Sequence, residues 1–393
     1  MNLEQVQALD SKYYMNTFGS RTPVCFTQGE GITLTDTEGK QYQDFFAGIA
    51  VNCLGYAHPR LVRELQDQVA KLTHVSNVYY TENQARLAQL LAENSCGDRV
   101  FFANTGAEAN EGAIKLAKKY FVEKGMPEKR EFITLRNSFH GRTLATVAAT
   151  GQEKYQKPYR PLIERFVHVG ANDCEGLRQA ANPNTAAIMV ELIQGESGVL
   201  PLEREFVDTI TALCHERDIL LIVDEVQTGI GRTGKLFAYE WYGIEPDIIT
   251  LAKGLGGGLP IGAVLASKKV ADTMGPGSHG STFGGNPVVC AGGCAVLDAM
   301  DDAFMRNVNA RAAQLREGLA SLPHVASVSG MGLMVGIAFA DDVKAADVRA
   351  ACERKGLLVL TAKTRLRLLP PLILSEADVA KALAILDDVL SSM

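Results

Sequence analysis

An α/β protein is the fold class that this 393-residue sequence predicts: a large domain with a mainly parallel sheet, plus a small α+β domain assembled from both ends of the chain. Three observations carry that expectation. Residues 56–290 alternate short apolar runs with amphipathic segments, the mark of βα units. Residues 1–55 hold a hairpin pattern instead. Residues 291–393 mix helical periodicity with two short strand candidates.

Along the chain, residues 31–44 alternate apolar and polar positions on either side of Asp36-Thr37-Glu38-Gly39, which predicts a hairpin. Helical periodicity follows at 61–71 and 84–93. Apolar strand runs are expected at 100–103, 132–135, 186–193, 219–223, 248–251 and 263–266, with helices at 107–120 and 205–216 between them. From Val288 a long helical pattern begins, and 376–391 is amphipathic again. Between these lie the strand candidates 332–338 and 365–369. There is no internal repeat and no low-complexity tract.

Composition narrows the function. Hydrophobic residues are 47% and charged residues 21%, which excludes a disordered chain. A net charge of −6 argues against nucleic acid or an anionic membrane surface as partner. No run approaches the ~18 apolar residues that span a bilayer. The opening MNLEQVQALD has neither a basic start nor an apolar stretch, so no secretory signal and a cytoplasmic location are expected. Eight cysteines without a CxxC pair read as buried thiols of a reducing compartment. With no HExxH and no histidine cluster, no metal site is expected.

One glycine-rich segment, Gly229-Ile-Gly231-Arg-Thr-Gly234-Lys235-Leu236, matches two phosphate-binding patterns and fails both. As GxGxxG, with Asp247 as ribose ligand, it requires its first glycine directly after a strand. Residues 224–228 intervene and bring two carboxylates. As GxxxxGK[ST] it places Leu236 where a magnesium-binding hydroxyl belongs. An ordinary glycine-rich loop after a strand suits it better than an NAD or nucleoside triphosphate site.

Three other features sit at strand C-terminal ends, where open α/β sheets hold their ligands. At the first, the 100–103 strand enters a helix through Thr105, with Glu108 at capping-box spacing and Gly106 allowing close approach. Free N–H groups and the helix dipole there suit a phosphate, though an ordinary capped helix would look the same. The second is Asp224, which ends an apolar run and lacks a cationic neighbour in sequence until Arg232. Either it is solvated or it meets a protonated heteroaromatic nitrogen. The third is Lys253, 29 residues further on, flanked by glycines and placed to act as a Schiff-base nucleophile. Phosphate anchor, ring-nitrogen carboxylate and nucleophilic lysine together specify pyridoxal 5′-phosphate (PLP) as cofactor.

With these residues in place, the chain resembles the class-III PLP-dependent aminotransferases of fold type I, the aspartate-aminotransferase-like architecture, over essentially its whole length. The resemblance runs through Leu54-Gly-Tyr-Ala-His58-Pro59, Asn104-Thr-Gly-Ala-Glu-Ala-Asn-Glu111, Ser138-Phe-His-Gly-Arg-Thr143 and Val190-Glu-Leu-Ile-Gln-Gly195-Glu196. It continues through Asp224-Glu-Val-Gln-Thr-Gly229, Leu251-Ala-Lys253, His279-Gly-Ser281-Thr282-Phe-Gly-Gly-Asn286 and Arg367-Leu-Leu-Pro-Pro371. The 138–143 block points to the acetylornithine branch.

The resemblance implies that Lys253 carries the cofactor and shuttles a proton, and that Asp224 pairs with the pyridine nitrogen. Gln227 would meet the ring hydroxyl, while Val226 and Phe139 sandwich the ring. Gly106 and Ala107 would hold the phosphate together with Thr282 of a neighbouring subunit, and Glu225 is carried over as part of its segment. Arg142, Glu196, Arg367 and, across the dimer, Ser281 are implied as substrate contacts. The implied enzyme is a homodimer with shared active sites that moves the δ-amino group of N-acetylornithine onto 2-oxoglutarate in arginine biosynthesis. The implied products are N-acetylglutamate 5-semialdehyde and glutamate. Succinylornithine, N-succinyldiaminopimelate, ornithine and 4-aminobutyrate are alternative donors. The chain departs from the family pattern at Ser197, where Gly or Ala is common, and at Tyr56, where His is common.

Overall fold

The computed structural model describes residues 1–163, 165–340 and 342–393. Its central sheet has seven strands in the order Arg99–Ala103, Gly262–Ala266, Ile248–Leu251, Leu220–Asp224, Thr185–Val190, Glu131–Leu135, Phe166–Val169. Only Gly262–Ala266 runs against its neighbours; the other pairings are parallel. The four strands from Gly262–Ala266 to Thr185–Val190 are buried at every residue, which is why they read as unbroken apolar runs. The strand period of two divides them between two cores. Ala187, Met189, Leu220 and Ile222 pack with the helix Gly106–Glu123. Ile188, Val190, Leu221 and Val223 pack with the helix Arg204–Arg217.

A second sheet begins with Phe26–Glu30, Thr33–Asp36 and Gln41–Asp44, and is completed by Leu357–Leu358 paired parallel to Gln41–Asp44. The expected hairpin is present. Asp36 Oδ1 accepts the N–H groups of Glu38 and Lys40, each at 2.9 Å, and so holds its turn. A third sheet orders Val325–Met331, Met334–Phe339, Arg365–Leu368 and Leu360–Ala362. The chain closes on the helix Glu376–Leu390.

Several expectations need correction. The apolar run 186–193 is not one strand: Thr185–Val190 ends before Glu191, and Ile193–Gln194 pairs separately with Leu200–Pro201. The long helical pattern after Val288 is two helices, Pro287–Leu297 and Asp302–Ala320, the second capped by Asp301. The N-terminal piece opens with a helix, Leu3–Tyr13, which buries no residue; its N-terminus carries the Asn2/Gln5 capping box. Five cysteines are buried, but Cys25, Cys96 and Cys174 are only half-buried. No helix is long and apolar enough to cross a membrane among the described residues.

Candidate active site

Because the strands are parallel, Ala103, Leu135, Val190, Asp224 and Leu251 all end at the same edge of the sheet, and the loops that follow them enclose a cavity of about 520 Å³. Gly106, Ala107, Phe139, Arg142, Glu196, Asp224, Val226, Gln227 and Lys253 all line it. Residues far apart in sequence therefore converge on one chamber, as expected where open α/β sheets bind ligands.

The helix Gly106–Glu123 points its N-terminus into this chamber. Thr105 is its N-cap, accepting the Glu108 N–H at 3.1 Å, and the Glu108 carboxylate accepts the Asn104 N–H at 2.7 Å. The first N–H groups of a helix have no partner within it, and Gly106 and Ala107 line the cavity, so this helix start suits an anion there. Glycine is required at 106: a Cβ there would lie 2.8 Å and 3.0 Å from the two γ-methyl carbons of Val226.

Asp224 is 3% exposed. Its Oδ2 accepts from Asn110 Nδ2 and pairs with His140 Nδ1, both at 2.8 Å, while Oδ1 accepts the Val226 N–H at 3.0 Å. Three donors thus fix the carboxylate plane. Burial opposes charge on His140, but the hydrogen bond and charge of Asp224, aided by Glu191, hold its pKa above the usual value.

Lys253 follows its strand by two residues, at φ +45°, a conformation that costs a non-glycine residue strain and is found chiefly at functional sites. Burial lowers its ammonium pKa; Asp224, Glu196 and Glu191 act against that shift, and Arg367 reinforces it. A depressed lysine pKa makes a nucleophile at neutral pH. Glu191 also lines the chamber and accepts the Phe139 N–H at 2.9 Å; burial pushes its carboxyl up to about 7.

The two predicted substrate arginines differ in setting. Arg142 is exposed and lies over the Tyr155 ring, 3.7 Å from its centroid. Arg367 is buried and pairs with Glu196 at 2.6 Å, and its Nε has no partner among the described residues. A close backbone approach sets up that pair. Gly336, cross-strand from Arg367, packs against Gly198 so tightly that a Cβ would sit 2.2 Å from the Gly198 carbonyl oxygen. Ser197, beside Glu196, spends its hydroxyl on the Asn137 carbonyl at 2.8 Å, and Tyr56 donates to Asp44 at 2.6 Å.

Not every predicted residue reaches the chamber. Glu225 does not: its carboxylate accepts from the Thr228 hydroxyl and from the Tyr239 N–H at 2.9 Å, and burial raises its pKa to about 7. It braces the following loop instead. Ser281 and Thr282 also lie outside the cavity of their own chain. Ser281 Oγ accepts from Asn104 at the rim, at 3.1 Å, and Thr282 is exposed.

His140, Asn110, Glu191 and Tyr155 are site residues that the sequence reading did not single out. Glu191 directly follows its strand, Thr185–Val190, and the apolar residues on either side of it hide that strand end in the sequence. Asn110 lies one helical turn after Gly106. For Tyr155 the sequence carries no signal.

The residues present fit PLP on their own chemistry: an anion-binding helix start, a fixed carboxylate, an aromatic wall and an enclosed lysine. The buried Gln227 Oε1 has no partner among the described residues, which suits a hydroxyl donor on a bound ligand.

The chain belongs to the class-III aminotransferases; that family's profile matches residues 14–390. Among its relatives, it is 47% identical to the acetylornithine aminotransferase of Haemophilus ducreyi, over 100% of each chain. It is similar in structure to N-acetylornithine aminotransferase from Stenotrophomonas maltophilia, with 37% identity, a TM-score of 0.84, and 97% of this chain and 98% of that one covered. It is also similar to the ornithine aminotransferase of Toxoplasma gondii, with 31% identity, a TM-score of 0.94, and 100% and 96% covered.

Proposed function

We propose that the protein is a PLP-dependent acetylornithine aminotransferase, moving the δ-amino group of N-acetylornithine onto 2-oxoglutarate. The Glu196–Arg367 pair carries this reading. PLP, when bound, withdraws electrons from the substrate carbon that carries the amine. Asp224 would hold a positive charge at the pyridine nitrogen, and Lys253 would attach the cofactor and move a proton at the reacting carbon. Val226 and Phe139 would enclose the ring, Gln227 would meet its hydroxyl, and Gly106 and Ala107 would hold its phosphate. Residues 56–290 form the large domain of this enzyme, and 1–55 with 291–393 form the small one. That division is supported by the confinement of the seven-stranded sheet to 99–266 and by the pairing of Leu357–Leu358 with Gln41–Asp44.

The two amino donors differ at the reacting carbon. Glutamate carries a carboxylate there, which Arg367 can meet in bidentate fashion. The terminal amine of acetylornithine sits on a bare CH₂, and an unpaired buried guanidinium would then be costly. Glu196 pairs with Arg367 in the acetylornithine half-reaction and yields it to glutamate in the other, while Arg142 holds the remote carboxylate and Ser281 of a second copy assists. Glu196→Ala is expected to slow the acetylornithine half-reaction and to spare or speed that of glutamate, a differential of about 1–3 kcal/mol. Single-turnover rates with each donor measure it, and equal losses would show that Glu196 does not gate. Parallel assays with ornithine, succinylornithine, N-succinyldiaminopimelate and 4-aminobutyrate test the choice of donor; a faster rate with any of these than with acetylornithine overturns it.

The working unit is a homodimer. Support comes from a run of exposed apolar side chains, Val78, Tyr79 and Tyr80 at 77%, 69% and 104%, together with Phe283 at 62% beside the exposed Thr282. Apolar exposure on this scale marks an interface. Thr282 then completes the phosphate site of the partner. Mixing Lys253→Ala with Thr282→Ala subunits is expected to restore one intact site per hybrid dimer. Activity that never exceeds that of the parents would show that each site is built within one chain.

A further inference from the structure

The 229–234 loop, which fits neither nucleotide pattern, contains Arg232, the largest of the fully buried side chains at 2% exposure. Its Nη1 donates to two backbone carbonyls, of Leu333 at 3.0 Å and of Pro370 at 2.6 Å. In return the Arg232 carbonyl accepts the Leu333 N–H at 3.0 Å. Burial lowers its guanidinium pKa to about 10, with Cys53 and Asp44 acting against that shift. Removing so large a cation from water is expensive, so its contacts call for an explanation.

The two carbonyls occupy related positions. In the antiparallel ladder between Met334–Phe339 and Arg365–Leu368, Val335 faces Leu368 and Gly336 faces Arg367. Continuing that register by two residues sets Leu333 opposite Pro370. Proline has no N–H, so the backbone cannot donate a ladder bond from this position. The guanidinium of Arg232 takes the place of the missing donor and ties both strand ends together. Arg367 lies three residues before Pro370 on the same segment. At its other end, the loop is anchored to the cofactor-facing segment: the Gly229 N–H donates to the Glu225 carbonyl at 2.9 Å, and that of Arg232 to the Gly229 carbonyl at 3.5 Å.

We propose that Arg232 is a positioning residue for the carboxylate clamp: by bridging the Leu333 and Pro370 carbonyls it fixes where Arg367 stands relative to segment 224–227. This rests on the proposed function, in which Arg367 binds the carboxylate beside the reacting carbon. Without the guanidinium, two buried carbonyls lose their donor and the end of the Arg367 strand is free to shift. A displacement of about 1 Å is enough to cost about 100-fold in a positioned site. The Gly106 helix start and Lys253 lie on other segments, and the Gly229–Glu225 hydrogen bond that ties the loop to segment 224–227 does not involve the Arg232 side chain.

The test uses holoenzyme and glutarate, a five-carbon dicarboxylate without an amine, titrated by calorimetry into wild type, Arg232→Met and Arg232→Lys. Cofactor content, visible spectrum and melting temperature are recorded for each. The expected result is glutarate binding weakened by about 10–100-fold in Arg232→Met, with wild-type cofactor content and spectrum, and partial recovery in Arg232→Lys. Wild-type glutarate affinity in a folded Arg232→Met would overturn the proposal. So would parallel loss of cofactor and glutarate, or failure of both variants to fold, since Arg232 would then serve stability alone. A wild type that ignores glutarate would refute the proposed function and this inference with it, whereas failure in the variants alone bears only on Arg232.

Discussion

Lys253→Ala is expected to abolish turnover while leaving cofactor binding partly intact. In the proposed function the side chain would supply two things: an amine of depressed pKa just past the Ile248–Leu251 strand, and a base for the reacting carbon. Loss of a positioned general base alone typically costs about 10²–10⁴-fold, and loss of covalent attachment adds to it. The helix start at Gly106 and the Asp224 carboxylate remain, so the proposed phosphate and ring contacts are expected to persist. Steady-state rates with N-acetylornithine and 2-oxoglutarate measure the effect; activity within tenfold of wild type would remove Lys253 from the mechanism.

Asp224→Asn is expected to have the next largest effect, and the hydrogen bonds show why. Asn110 and His140 both approach Oδ2, and the Val226 N–H approaches Oδ1. An amide has one oxygen for these donors. If that oxygen stays with Asn110 and His140, the new NH₂ faces the Val226 N–H, donor against donor, and offers no negative charge to a ring nitrogen. A hydrogen bond to a charged group is worth about 1.5–3 kcal/mol, so the half-reaction should slow by about 10–100-fold while cofactor content is retained. The readout is the single-turnover rate at matched cofactor occupancy. Wild-type rates would reduce Asp224 to a structural carboxylate.

Much of this chamber was legible in the sequence because parallel strands turn linear order into spatial order. Thr105–Gly106, Asp224 and Lys253 each follow an apolar run, and a sheet that aligns those runs must bring their ends together. What was not legible depends on contacts across the fold. Nothing local tells His140 from any other histidine, and its pairing with Asp224 exists only once two strand ends are adjacent. Glu191 was hidden by apolar residues on both sides, which made a strand end look like a strand interior. Glu225 misled in the opposite direction: sharing a segment with Asp224 and Val226 does not make it share their direction, and its carboxylate turns to Thr228 and Tyr239.

Arg232 shows the same limit in another form. Within Gly229-Ile-Gly231-Arg-Thr-Gly234 it looks like a solvated loop residue, yet it is nearly inaccessible to solvent. Its partners, Leu333 and Pro370, are more than 100 residues away. Burial of a charged side chain follows from what the rest of the chain places around it, and local pattern does not report that.

In the proposed function one lysine, held between a fixed carboxylate and an anion-binding helix start, carries the cofactor. Borohydride reduction of the purified protein, followed by proteolysis and mass mapping of the modified peptide, tests it most directly. The expected result is a yellow protein whose colour is bleached by borohydride, with a single phosphopyridoxyl modification on Lys253 and none in Lys253→Ala. A colourless protein, or a stoichiometric modification on any other lysine, would contradict it.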